Sequence, residues 1–208
     1  MIRRAWDARV LPWLVEKACR STSILAERKR WIPRAEGDVL ELGVGSGLNL
    51  AFYEGARVTH VTGIDPSAPL LAKARARVAE APVAVALVEA ACEALPFERA
   101  PFDSAVMTYT LCSVDDPARA LGEVRRVLRP GARLYFVEHG ASSEARTRAW
   151  QRRVTPVWRT VGGNCHLDRD SAALLRGAGF ELAELEAGVV EGGGRLTSFT
   201  YQGVAVSR

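Results

Sequence analysis

The 208-residue sequence predicts an α/β fold: a doubly wound sheet of seven strands, mostly parallel, with an antiparallel hairpin at its C-terminal edge. Three observations carry this. Between residues 38 and 139, five short strand-like runs alternate with helical stretches, the pattern of right-handed strand–helix–strand units. The runs are largely apolar at consecutive positions, as in strands covered on both faces of a parallel sheet. Two further runs near the C-terminus are separated only by a glycine-rich turn, and consecutive strands joined by a turn pair antiparallel.

The elements follow in order. Residues 1–36 read as two helical pieces, with Val10, Trp13 and Leu14 on one face of the first and Ile24, Leu25, Trp31 and Ile32 marking the second. Trp6, Trp13 and Trp31 suit helix packing or, as the alternative, membrane anchoring. Strands are expected at 38–43, 58–64, 83–88, 102–109 and 132–138. A helix over 67–79 has Ser67 as N-cap candidate and Leu70, Leu71, Ala74 and Val78 on one face. A second, over 116–128, has Asp116 at the N-cap and Pro117 at the first helical position. Its stripe is Leu121, Val124, Val127 and Leu128, and Pro130-Gly131 stop it. A last helix over 170–178 ends at Gly177 and Gly179. Strands 180–186 and 196–206 flank the turn at Gly192, Gly193 and Gly194. Residues 140–167 form a long insertion carrying Trp150, Pro156, Trp158, Gly162, Gly163 and His166. Loops of this length in compact domains are functional lids or disordered, and the tryptophans argue for a lid. The chain thus divides into an N-terminal helical cap, 1–36, and a domain over 37–208 with a lid at 140–167.

Composition narrows the function classes. Apolar residues make up 48% and charged residues 25%, which excludes a disordered chain, a collagen-like chain and a coiled coil. No stretch approaches the ~18 consecutive apolar residues of a spanning helix. The four cysteines are widely spaced without a CxxC pair, and no secretory leader is apparent, so a reducing cytoplasm is expected. The net charge of +4 is concentrated: residues 1–36 carry +5 and residues 140–167 carry +4. Two basic segments on an otherwise acidic body argue against nucleic acid, which wants a continuous basic face. They leave room for an anionic substrate or a weak peripheral membrane contact through residues 1–36.

The strongest motif is Val-Leu-Glu-Leu-Gly-Val-Gly-Ser-Gly at 39–47: a strand, then Gly43-x-Gly45-x-Gly47, then the start of an amphipathic helix. Such glycines allow a tight turn and close approach of a ligand to the backbone. Asp65 follows at the end of the second strand, where a carboxylate accepts hydrogen bonds from both ribose hydroxyls of an adenosine cofactor. Dinucleotide sites space their glycines GxGxxG. Here the third glycine comes one residue early, which suits a Rossmann-like site for a cofactor without a pyrophosphate.

These motifs resemble the class I S-adenosylmethionine (SAM) methyltransferases, in the branch of the ubiquinone/menaquinone-biosynthesis-type enzymes. The matching segments are 39–47, Gly-Ile-Asp-Pro-Ser (63–67), Glu-Ala-Leu-Pro-Phe (93–97), Phe-Asp-Ser-Ala-Val (102–106) and Arg-Val-Leu-Arg-Pro-Gly (126–131). The tail, with Leu111-Cys-Ser-Val114, Glu138-His139, Trp150-Gln151, Pro156, Trp158, Cys165, Leu167 and Arg169, is similar to the membrane-associated alkyl-thiol methyltransferases of animals. The resemblance implies methyl transfer from SAM to a small or lipid-like acceptor. A thiol is the first expectation, and a quinone precursor or phospholipid head group the second. It also implies that Gly43, Gly45 and Gly47 line the methionine end and that Glu41 supports the loop. Asp65 would take the ribose hydroxyls, with Pro66 beside the adenine and Thr108 and Tyr109 near the methionine. Where the family has an adenine-contacting aspartate this chain has Ala91, so Cys92 or Glu93 would take that contact. Two rival readings are a Rossmann-type oxidoreductase and a non-catalytic SAM-binding module.

The sulfonium of SAM is already an activated leaving group, so alignment of the acceptor and exclusion of water are the main tasks. For an acceptor that must lose a proton, His139 at the end of the fifth strand is the base candidate, or else a side chain capping that strand end. Tyr109 walls the cofactor pocket or orients the acceptor. Cys112 reads as a small buried hydrophobe. Cys165 and His166 alone make a poor metal site, so no metal is expected. For His166 a lid hydrogen bond and a substrate contact are both open.

Overall fold

The computed structural model describes residues 16, 17, 19–99, 101–190 and 193–208. Strands β1 (Gly37–Leu42), β2 (Val58–Asp65), β3 (Ala84–Glu89), β4 (Phe102–Thr108), β5 (Leu128–His139), β6 (Phe180–Val189) and β7 (Phe199–Ser207) form one sheet in the order β3-β2-β1-β4-β5-β7-β6. The first five run parallel, and β7 is antiparallel to both β5 and β6. Helices α1 (Thr22–Trp31), α2 (Ala68–Val78), α3 (Pro117–Val127), α4 (Ala145–Val161) and α5 (Ser171–Gly177) flank it.

Strand alternation sorts the core into two layers. Leu40, Leu42, Met107, Leu134 and Phe136 pack with Leu121, Val124 and Val127 of α3 and Leu175 of α5. Val39, Val61, Val106 and Val137 point the other way and pack with Trp31 of α1 and Leu71 of α2. Helices therefore cover both faces. The order reverses between β1 and β4, and at that switch point an open α/β sheet leaves a crevice beyond its strand ends. The caps are those read from sequence: the Ser67 hydroxyl accepts from the Leu70 amide, and the Asp116 carboxylate from the Arg119 amide at 3.0 Å.

Three expectations change. No α-helix follows the glycine loop; the chain makes turns and one 3₁₀ segment, Leu50–Phe52. Asn49 and Tyr53 turn inward onto the Glu41 carboxylate, so this short link serves β1 rather than forming a covering helix. The insertion 140–167 is not a loop: it holds α4, of 17 residues, with Pro156 inside it. Its buried positions are Thr147, Gln151 and Thr155, a helical period written in polar residues, which hides it from a search for apolar stripes. β5 starts at Leu128, directly after α3, and takes in Pro130 and Gly131. Of the N-terminal pieces, the second is α1, where Trp31 is buried and its indole donates to Gln202 at 3.0 Å. Trp6, Val10, Trp13, Leu14 and Gly192 lie outside the described residues. No helix among those described is long and apolar enough to cross a membrane.

Candidate active site

A cavity of about 420 Å³ opens at the switch point. It is lined from four strand ends: Gly43–Ser46 after β1, Asp65–Ser67 after β2, Ala91–Glu93 after β3, and Thr108–Thr110 with Ser113–Asp115 after β4. Glu16, Cys19 and Arg28 line it from the N-terminal segment, and Gly163 from just beyond α4.

The glycine loop is held by its backbone. Gly43, Gly45 and Gly47 all have positive φ, at 65°, 55° and 81°. A Cβ on Gly43 would lie 2.1 Å from Thr110 Oγ1, and one on Gly47 would lie 3.2 Å from the α2 backbone at Ala74. Both positions need glycine for close approach as well as for φ. The Asp65 carboxylate accepts the Gly45 amide at 3.0 Å and the Ser67 amide at 2.8 Å, one on each oxygen. Burial raises its pKa and the two amides oppose that. Each oxygen keeps a further lone pair beside the cavity.

Beneath the loop lies a buried polar cluster. Glu41 accepts from Asn49 Nδ2 at 3.0 Å and from the Tyr53 hydroxyl at 2.8 Å. Burial pushes its pKa up to about 7 against those hydrogen bonds. Thr108 Oγ1 accepts from Asn49 at 3.0 Å and from Arg28 Nη1 at 2.9 Å. Arg28 is buried, makes no carboxylate contact among the described residues, and keeps an unpartnered Nε. Glu41 is the neighbouring charge, reached through Asn49, and the cavity-facing arginine is suited to an anion as well. Sequence reasoning missed it. The local signal, one of nine basic residues in segment 1–36, carries no direction.

Tyr109 also lines the cavity. Its φ of 57° is unusual for a bulky residue and marks strain of the kind stored at functional sites. Its hydroxyl is buried without a partner among the described residues, and burial holds it protonated well above the ordinary range. Ala91, Cys92, Glu93 and Pro66 all line the cavity as well. Glu93 uses Oε1 to accept the Asp115 and Asp116 amides, so that oxygen is a loop tie. Burial pushes the Cys92 thiol up to about 12, which keeps it neutral.

His139 is placed differently from the sequence expectation. It does not line the cavity; its ring packs 4.6 Å from Tyr109, and its Nδ1 faces Cys165 Sγ at 3.6 Å. A general base must reach the proton it removes, and from this position Tyr109 is the nearer group to any acceptor in the cavity. Cys112, His139 and Cys165 come together, with ligand atoms all within 4.8 Å of one another, although 26 or more residues separate them. The spacing of Cys165 and His166 could not reveal this. His166 ties the lid through its backbone amide, which donates to the Cys112 carbonyl at 2.7 Å, and not through its imidazole, whose Nε2 is buried without a partner among the described residues.

The methyltransferase-domain family matches residues 40–136. Over 153 residues the chain is 34% identical to thiol S-methyltransferase TMT1B of Rattus norvegicus, a match covering 73% of this chain and 63% of that protein. These likenesses, together with the fold, support a class I SAM-dependent methyltransferase. It is also 36% identical over 129 residues to phosphatidylethanolamine N-methyltransferase of Cereibacter sphaeroides, covering 61% and 62% of the two chains. The chain thus spans under two thirds of the length of these relatives. A solved SAM-dependent methyltransferase of Methanosarcina mazei superposes with a TM-score of 0.63 at 25% identity, over 82% of this chain and 92% of that one. SAM is accordingly the cofactor, and the oxidoreductase reading finds no support.

Proposed function

We propose that the chain is an active methyltransferase that binds SAM in this cavity and passes the methyl group to a small apolar acceptor, a thiol first. One observation carries the reading: Asp65, a buried carboxylate with spare lone pairs, and Arg28, a buried cation hydrogen-bonded to the neutral side chains of Asn49 and Thr108, line the same cavity. In this reading Asp65 holds the ribose hydroxyls and Arg28 the methionine carboxylate. Gly43 and Gly45 lie along the methionine. Gly47, expected there as well, is not on the cavity wall and instead packs the loop against α2. Glu41 and Thr108 brace the loop, and Pro66 with Cys92 borders the adenine. Tyr109 aligns the acceptor, and His139 is a positioning residue acting through Tyr109. The described part of the N-terminal segment and residues 140–167 close over the acceptor, as Glu16, Cys19 and Gly163 on the cavity wall support. The thiol preference draws on the thiol S-methyltransferase relative. A weak peripheral membrane contact, expected through residues 1–36, finds support instead in the exposed Trp150, Val157 and Val161 beside the arginines of α4.

No imidazole lines the cavity among the described residues, and Tyr109 stays protonated, so a thiol acceptor reacts as its own thiolate. Turnover of an alkyl thiol is expected to rise about tenfold per pH unit below its pKa of ~8.5. Mass spectrometry of S-adenosylhomocysteine and thioether, across thiols, quinone precursors and aminoethanol lipids, checks the acceptor; no thioether at any pH sinks the thiol assignment. Asp65→Ala should weaken S-adenosylhomocysteine binding by about 1.5–3 kcal/mol. Calorimetry on the folded variant showing unchanged affinity would remove Asp65 from the site.

A further inference from the structure

Three chain segments meet beneath α4. Cys112 follows β4, His139 ends β5, and Cys165 lies beyond α4; Val154 and Trp158 of that helix pack over Cys112, Cys165 and Leu167. We propose that Cys112, His139 and Cys165 form a binding site for a thiolate-preferring divalent ion of the zinc class, with three protein ligands and a fourth, non-protein donor.

The donor set fits that ion. Two thiolates and an imidazole select zinc over the hard cations, which take oxygen. With bonds of ~2.3 Å to sulfur and ~2.0–2.1 Å to nitrogen, a tetrahedral centre sets sulfur and nitrogen about 3.5 Å apart. The Cys165 Sγ to His139 Nδ1 distance is 3.6 Å. All three ligand atoms fall within 4.8 Å of one another, close enough for side-chain rotation to complete the triangle.

The backbones are braced for this placement independently of the side chains. Glu138, next to His139, accepts the Cys112 amide at 3.1 Å and the Thr110 amide at 2.8 Å. The His166 amide bonds the Cys112 carbonyl at 2.7 Å, and the Asn164 side chain donates to the Ser113 carbonyl at 2.7 Å. Asn164, directly before Cys165, has φ of 64°, one of two non-glycine residues with positive φ among those described. Asparagine adopts this left-handed conformation readily beyond a helix end, and here the turn delivers Cys165 to the other two donors. On binding, the ion displaces the two thiol protons to solvent and takes the neutral imidazole through Nδ1, so two thiolates balance one divalent charge. With its ring anchored there, His139 presents a fixed face to Tyr109, 4.6 Å away on the cavity wall.

The test uses the full chain, reduced, loaded with zinc and desalted. Elemental analysis should find about one zinc per chain, and cobalt(II) should give the absorption of a tetrahedral thiolate complex. Cys165→Ser and His139→Gln should each weaken zinc retention roughly tenfold or more. His166→Gln, which removes the neighbouring imidazole, should leave it unchanged. S-adenosylhomocysteine affinity serves as the folding control. If a ligand variant fails to fold, thiol titration of the wild-type chain decides: added zinc should protect two of the four cysteines. Wild-type chain without retained zinc, cobalt spectra identical in Cys165→Ser and wild type, equal thiol reactivity with and without zinc, or a Cys112–Cys165 disulfide formed in its presence would each overturn the proposal.

Discussion

The glycine loop and the structure roofing the sheet's C-terminal edge are built differently. Around residues 43–47 the work is done by backbone: left-handed glycines, and the Gly45 and Ser67 amides aimed into Asp65. In the roof it is done by side chains reaching between distant segments. Gln151 of α4 accepts the Ser142 amide at 2.8 Å and donates to the Gly140 carbonyl at 3.1 Å and the Leu196 carbonyl at 3.0 Å. Asn164 and Cys165 reach back to Ser113 and His139 in the same manner. A backbone device admits few substitutions, because φ and close approach leave no alternative residue. A side-chain device can be altered one group at a time, so the roof can be changed while cofactor binding stays intact. That is a physical basis for one fold keeping its cofactor and varying its acceptor.

The comparison breaks most sharply at Gly43. Alanine there meets Thr110 Oγ1 at 2.1 Å in a left-handed conformation, and should cost about 2–5 kcal/mol in strain and overpacking. Gly131 has a similar φ, 80°, but open space around its Cβ. Gly131→Ala should cost only about 1–2 kcal/mol and leave S-adenosylhomocysteine affinity unchanged, where Gly43→Ala abolishes it. Denaturant melts and calorimetry on both variants separate crowding from backbone strain; equal losses would contradict the close-approach account.

A second effect comes from Glu41. Its folded pKa of about 7 lies above the ordinary carboxylate value, so the folded chain holds a proton that the unfolded chain has released. Stability from this group is therefore present below pH ~4.5 and is lost as pH rises to about 7, by about 3 kcal/mol in total. Glu41→Gln cannot ionise and should flatten that part of the curve. The difference between wild-type and variant unfolding free energies, measured from pH 4.5 to 8, isolates the group from other buried acids. A difference that does not change with pH would mean that Glu41 is ionised throughout.

The smallest effect belongs to the roof. Gln151→Ala leaves the Ser142 amide and two carbonyls without this partner and should destabilise the chain by about 1–3 kcal/mol. Acceptor KM should rise while S-adenosylhomocysteine affinity stays within about twofold. Loss of cofactor affinity in step with acceptor affinity would show that the two regions are one device.

Much of the cofactor half was legible because its signals are local. The glycine spacing, the strand before it and the N-caps Ser67 and Asp116 each lie within one element or its boundary. The mostly parallel sheet with an antiparallel C-terminal pair follows from strand–helix alternation and the final turn, but the insertion of β7 between β5 and β6 does not. Tertiary structure alone decided the rest. Arg28 reaches the cavity by a bond to Thr108, 80 residues away, and α4 buries polar residues that no apolar period announces. The direction of His139 depends on the register of β5 against its neighbours and on the loop carrying Cys165. A sequence states that a histidine ends a strand. Which group that histidine meets is set by segments closing on it from 26 and more residues away, and linear spacing carries no such direction.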